Sequence, residues 1–245
     1  MEHVINIIGI GEVLWDIFPQ GKQLGGAPCN FVYHANKLGA NALVVSAVGN
    51  DENGQEILAL LNKKNISEEL IQVNEHPTGT VEVKLNDQGV PEYVIHENVA
   101  WDYIRFDSAI EQSLSATDII CFGSLAQRNN VSGETIASIL NSAGPNTLIV
   151  FDINLRQQYY TREIIENSLQ FCHVLKLNGE ELQVISVLLG LTGSSEENQV
   201  IELMERYNLQ LLALTNGSKG SLLVTASEKS FLPTPKVQVR DTARF

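Results

Sequence analysis

The sequence predicts an α/β fold with a mostly parallel sheet, on two observations. Short, nearly continuous apolar runs alternate with stretches of helical periodicity, and runs of that kind are strands buried on both faces. From Thr78 to His96 the pattern changes to alternating apolar and polar residues, which marks a ribbon with one exposed face. Repeated strand–helix units imply right-handed crossovers and a parallel sheet with helices on both faces.

Val4 to Ile10 is the first buried run, ended by Gly9-Ile10-Gly11. Glu12 to Pro19 follows, with Asp16 among large apolar residues. A carboxylate there is paired, hydrated or used, and it stands just past a core strand, where α/β folds place ligands; a surface turn residue is the plainer alternative. Gly25-Gly26-Ala27-Pro28-Cys29-Asn30 then hands a loop over to a helix. Paired glycines allow close backbone approach or positive φ, and Pro28 suits a first helical turn. Phe31, Val32, Ala35 and Leu38 read as the core stripe of that helix and Gly39 as its C-terminal cap. Its start offers free N–H groups and a positive dipole end beside Asn30, a setting for a polar ligand or simply an ordinary turn before an ordinary helix.

Ala42 to Val48 is a second buried strand, and Asn50-Asp51 opens a helix over Glu52 to Lys64. Thr80 to Asn86 alternates, Asp87-Gln88-Gly89 is a hairpin turn, and Val90 to Ile95 returns. That ribbon suits a lid, an oligomer contact or an edge decoration. Strand and helix alternate again through strand Ile119–Phe122, a helix near 132–141, strand Leu148–Phe151, a helix near 162–171 and strand Val174–Leu177. A helix near 180–189, another over 196–207 capped by Ser194-Ser195, and strand Leu211–Thr215 complete the pattern.

Composition narrows the function. The net charge of −13 disfavours nucleic acid and anionic membranes, and no apolar run approaches the ~18 residues of a membrane span. The three cysteines are odd in number and widely spaced, and the opening residues lack a leader pattern, so a cytoplasmic location is expected.

Polar clusters follow the late strands. Asp152-Ile153-Asn154-Leu155-Arg156 places a carboxylate, an amide and a guanidinium fork after one strand. Asn178 and Glu181 either hold hydrated Mg²⁺ or phosphates or form a helix cap with Glu at the third position. Thr215-Asn216-Gly217-Ser218-Lys219-Gly220 is a glycine-rich turn whose amides suit phosphates, although a strand-to-strand turn has the same composition. Gly9-Ile10-Gly11 also raises a nicotinamide-binding turn, but Leu14 stands where the third glycine is required.

The order of these clusters resembles the ribokinase-like carbohydrate kinases, the family named for phosphofructokinase B, from about residue 4 to the last. Leu38-Gly39-Ala40, Val48-Gly49-Asn50-Asp51 and Ala100-Trp101-Asp102 look most like its bacterial fructokinases. The resemblance implies one kinase domain over residues 1–245, a three-layer αβα sandwich with a small β-sheet lid from about 12–26 and 77–105. It implies transfer of the γ-phosphoryl group of ATP, with Mg²⁺, to a primary hydroxyl of a small sugar, fructose before other ketoses or nucleosides. By the same carry-over, Asp16, Gly25, Gly26, Asn30 and Trp101 hold the sugar, and Arg156 with Asp152 beside it supports catalysis. Asn178, Glu181, Thr215, Gly217 and Gly220 serve the nucleotide, Glu181 reaching the metal through water. Tyr93, Trp101, Tyr103 and Arg105 are candidates for sugar selectivity or lid packing.

One part of the pattern departs. The family's Asp-Thr precedes Gly-Ala-Gly-Asp, whose amides form the anion hole and whose Asp is the base; here Asp241-Thr242 is followed by Ala243-Arg244-Phe245. The expectation is a truncated chain without its catalytic Asp and inactive, self-associating through the lid or an exposed edge. A non-catalytic sugar or nucleotide binder is the alternative.

Overall fold

In the computed structural model, which describes residues 4–85 and 91–236, the first apolar run is strand β1 (Asn6–Ile10), buried from its second residue onward. Val4, expected within it, lies outside and is exposed. The chain divides into two units, Met1–Thr147 and Leu148–Phe245.

The first unit continues with β2 (Leu14–Phe18), β3 (Gly21–Gly25), helix α1 (Ala27–Lys37), β4 (Asn41–Gly49), α2 (Glu52–Lys63) and β5 (Ile71–Asn74). Then follow β6 (Gly79–Leu85), β7 (Pro91–Ile95), α3 (Ser108–Leu114), β8 (Ile119–Gly123) and α4 (Asn130–Asn141). Strand β1 lies between β8 and β4 and is parallel to both, and β4 is parallel to β5. A separate four-stranded sheet has the order β3-β2-β6-β7, with β2 parallel to β6 and both outer pairs antiparallel. Asp16, read as a residue past a core strand, does follow β1 and lies in the middle of strand β2, so the alternative of a surface turn falls. The expected turn at Asp87-Gln88-Gly89 lies outside the described residues.

Helix α1 packs against β1 and β4. A β-carbon on Gly9 would stand 2.8 Å from Val32 Cγ2, and one on Gly11 would stand 2.9 Å from Pro28 Cγ, so these glycines admit the helix onto the strand. Val32 is fully buried, but Leu38, expected on the same stripe, is 89% exposed. The helix ends at Lys37, Leu38 caps it, and the chain turns at Gly39 with φ 95° before Leu38 can rotate inward. Trp15 and Leu24 of the small sheet share one core with Val32, Val48, Ile57 and Leu61, each such buried side chain contributing about 1.5–3 kcal/mol. The Trp15 Nε1 proton goes to the Asn53 carbonyl on α2, at 3.0 Å.

The second unit comprises β9 (Leu148–Asp152), α5 (Arg162–Phe171), β10 (Val174–Asn178), α6 (Gly179–Leu189), α7 (Glu196–Arg206), β11 (Leu211–Thr215), β12 (Ser221–Val224) and β13 (Lys229–Leu232). Strands β9, β10 and β11 are parallel, while β12 and β13 run antiparallel to their neighbours. Phe151, Leu175, Leu177, Leu182 and Leu212 are fully buried. The glycine-rich turn after Thr215 thus joins antiparallel strands, the plainer of its two readings. Strand β5, helix α3 and the β12–β13 pair were not anticipated, being four to seven residues long with little room for a period.

Candidate active site

Two clusters of polar groups stand at element ends, one in each unit. In the first, β3 ends at Gly25 and α1 begins at Ala27. Gly26 is the N-cap with φ 110°, and a β-carbon on it would lie 2.2 Å from the Glu12 carbonyl oxygen, so no side chain fits. The Asp16 carboxylate covers Gly25: a β-carbon there would meet Asp16 Oδ2 at 2.3 Å. Asp16 and the double glycine are thus brought together, and the missing side chains let a carboxylate oxygen approach Gly25 and a carbonyl oxygen approach Gly26. Asn30 is on the first turn of α1, its amide donating to the Gly26 carbonyl at 3.0 Å. Its side-chain Oδ1 is buried and has no hydrogen-bond partner among the described residues.

Glu12 was missed. It is 4% exposed, and its Oε1 accepts the Ala27 amide at 3.0 Å, capping α1 from fifteen residues away in place of a side chain at the N-cap. A carboxylate between Gly11 and Val13, straight after a buried strand, was the available signal. Burial, and after it the Glu12 carboxylate, pushes the neighbouring Cys29 thiol up to about 12, so Cys29 is no thiolate nucleophile.

Trp101 is not on the small sheet. It lies in a single 3-10 turn, Ala100–Tyr103, beyond β7 and is 0% exposed. Of the selectivity candidates, Tyr93 on β7 is 56% exposed, while Tyr103 stacks on His76 with ring centres 3.5 Å apart. The backbone N–H and C=O of Arg105 are both bonded to the Gln72 side chain.

In the second unit the Asp152 carboxylate is held by Lys176 of the next strand, at 2.9 and 3.2 Å. Arg156, expected beside Asp152, is exposed, and its Nη1 donates to the Leu155 carbonyl at 3.0 Å. Lys176 was missed, although a lysine inside the run Val174-Leu175-Lys176-Leu177 signals a buried partner. Asn178 and Glu181 form a reciprocal cap: Asn178 Oδ1 accepts the Glu181 amide and Glu181 Oε2 accepts the Asn178 amide, both at 2.8 Å. Glu181 Oε1 accepts the Leu155 amide at 3.0 Å, so this 6%-exposed carboxylate also ties the Arg156 loop to the start of α6. Asn154 and Gln157 in that loop have φ of 43° and 48°, the left-handed region that needs such external support.

A groove of about 620 Å³ at this end is lined by Asn178, Glu196, Thr215, Asn216, Gly217 and Lys219, among others. Three of the five nucleotide candidates therefore face one cavity, while Glu181 and Gly220 support its walls without lining it. Asn216, Glu196 and Lys219 were not anticipated as lining. Among the described residues no group of three or more His, Cys, Asp or Glu side chains is placed to hold a metal, and no helix is long and apolar enough to cross a membrane. Asp241 and Thr242 lie outside the described residues.

Known proteins place the chain. A fructokinase of Vibrio alginolyticus is 26% identical over 253 residues, covering 95% of this chain and 77% of that protein. The crystal structure of an uncharacterized sugar kinase from Pyrococcus horikoshii matches with 26% identity and a TM-score of 0.78, over 97% of this chain and 79% of that one. A fructokinase with bound ATP from Xylella fastidiosa has the same fold, with a TM-score of 0.85 at 22% identity over 97% of this chain and 76% of that one. The description pfkB family carbohydrate kinase fits residues 12–243. The chain belongs to this family of carbohydrate kinases, enzymes that transfer a phosphoryl group to a sugar.

Proposed function

We propose that the protein binds fructose at the Asp16–Gly25–Gly26–Asn30 cluster and ATP at the Asn178–Thr215–Gly217–Lys219 groove, for transfer of the γ-phosphoryl group to a primary hydroxyl. One observation carries the sugar half: the Asp16 carboxylate lies on the Gly25 backbone, and Asn30, whose amide donates to the Gly26 carbonyl, has a buried Oδ1 without a partner among the described residues. An orphan acceptor of that kind costs about 1–3 kcal/mol, which a ligand hydroxyl would recover. A polyol supplies such donors, and the carboxylate accepts from a second hydroxyl.

The groove supports the nucleotide half, since amide, hydroxyl and ammonium groups of Asn178, Thr215 and Lys219 suit polyphosphate and ribose oxygens. Phosphoryl transfer is governed by positioning and charge neutralisation, for which Arg156 and Lys219 are the candidate cations. Mg²⁺ would enter on the nucleotide's phosphates. Both Glu181 oxygens already accept backbone amides, so its part in holding the metal would run through water. Three buried, unbridged cysteines suit a cytoplasmic setting, and self-association through the small sheet belongs to the same reading.

Calorimetry with fructose, ribose and 2-keto-3-deoxygluconate, paired with an ADP-release assay, tests the reading. Fructose uptake that Asp16→Asn weakens at least about tenfold is expected. Preference for another sugar overturns the choice of fructose, and unchanged affinity in Asp16→Asn overturns the site. Uptake without ADP release favours a binder, whereas turnover removes the expectation of a missing base.

A further inference from the structure

Arg128 takes no part in either cluster, yet it is one of the most buried cations, its side chain only 6% exposed. It closes a 3-10 turn, Leu125–Arg128, after β8. Its Nε and Nη2 donate to the two Asp102 oxygens at 2.8 and 2.9 Å, a fork-to-fork pair. Nη2 also donates to the His96 carbonyl, the first residue beyond β7. The face of the guanidinium lies over the Trp101 ring, 4.1 Å from its centre.

Trp101 passes this constraint on. A β-carbon at Gly79 would stand 2.2 Å from Trp101 Nε1, so the indole edge is pressed against the first residue of β6. Its N–H is buried there without an acceptor among the described residues. Gly79 pairs with Leu14, and two residues on Val81 pairs with Asp16. One cation thus grips the end of β7 directly and the start of β6 through an indole, and β6 carries the strand that presents Asp16.

We infer that Arg128 is a positioning residue for the sugar. With Trp101 as wedge it sets the root of the β6–β7 ribbon and thereby the place of the Asp16 carboxylate, and Trp101 itself touches no sugar. This rests on the reading of Asp16 as the sugar carboxylate.

The test uses Arg128→Met, Arg128→Lys and, should removal of a buried cation prevent folding, Gly79→Ala, which pushes the indole while leaving the Arg128–Asp102 pair intact. In Arg128→Met and Gly79→Ala, amide hydrogen exchange over residues 14–18 and 79–82 should quicken about tenfold, with β9 to β11 changing less than about twofold. Fructose affinity should fall about tenfold and ATP affinity stay within about twofold, with Arg128→Lys recovering part of the loss. Unchanged exchange at β2 and β6, or acceleration spread equally over both units, overturns the positioning role. If the wild-type protein takes up no sugar, the reading of Asp16 fails and the affinity claim with it, while the exchange pattern still decides whether Arg128 anchors the ribbon.

Discussion

Helices α1 and α6 both begin just after a strand with a short amide and a carboxylate nearby, yet they treat those groups oppositely. At α6, Asn178 and Glu181 satisfy each other's backbone, and the Glu181 carboxylate accepts a second amide, from Leu155. At α1 the N-cap is Gly26, the carboxylate comes from Glu12 far away in sequence, and Asn30 Oδ1 is left without a partner among the described residues. The first arrangement is closed and builds a loop; the second leaves a buried acceptor unsatisfied among the described residues, as the proposed sugar site requires. Residue type therefore does not separate the two helix starts, whereas the state of the polar atoms does.

The largest test of the contrast is Gly26→Ala. A side chain at φ 110° and 2.2 Å from the Glu12 carbonyl should cost about 3 kcal/mol in urea unfolding and abolish sugar binding. A loss below about 1 kcal/mol would show that the open start tolerates a β-carbon. Glu181→Ala should come next, at about 2 kcal/mol, because the amides of Asn178 and Leu155 both lose their acceptor. If its effect were confined to Mg²⁺ dependence with stability unchanged, the carboxylate would serve the metal and not the loop.

Asn30→Ala should sharpen the contrast from the other side. Removing an orphan acceptor should leave stability unchanged or raise it by up to about 1–3 kcal/mol, while sugar affinity falls about tenfold. Destabilisation with intact affinity would mean that Oδ1 serves the fold.

The smallest effect is at a third helix start, where Asp51 caps α2 and holds both the amide and the hydroxyl of Thr78. Burial alone would raise its carboxyl, but the bonds from Thr78 and Gly54 outweigh it and hold the group below its ordinary 3.8. A lowered folded value means stability present above pH 3.8 and lost as the pH falls through that lower value. The gap in urea midpoint between wild type and Asp51→Ala should therefore be widest near neutrality and shrink in acid; a gap independent of pH would show that the ionised form is not what Thr78 binds.

Much of the fold could be read in advance. Strands β1, β4 and β8 to β11 and helices α1, α2 and α4 to α7 announce themselves by continuous apolar runs, helical stripes and caps such as Asp51 and Ser195. Leu38 was misplaced because a stripe has no end marker stronger than the turn that stops it. The resemblance placed Trp101 near the sugar, and the contact of its ring with the Arg128 guanidinium is one that no local pattern shows. The resemblance set Asp152 beside Arg156, whereas parallel pairing brings Lys176 alongside from the next strand.

By itself, the sequence determined the alternation of strands and helices, the half-exposed ribbon, and the double glycine before α1, because burial, period and backbone freedom are local properties of residue types. The ordering of its polar clusters along the chain also determined the family. Only the tertiary structure decided that Asp16 rests on Gly25, that Glu12 caps α1, that Glu181 joins a loop to a helix, and that Arg128 lies over Trp101. Those are pairings between residues distant in sequence, and which partner satisfies a buried charge or amide is settled by what the packed strands bring within 3 Å of it, about the length of a hydrogen bond.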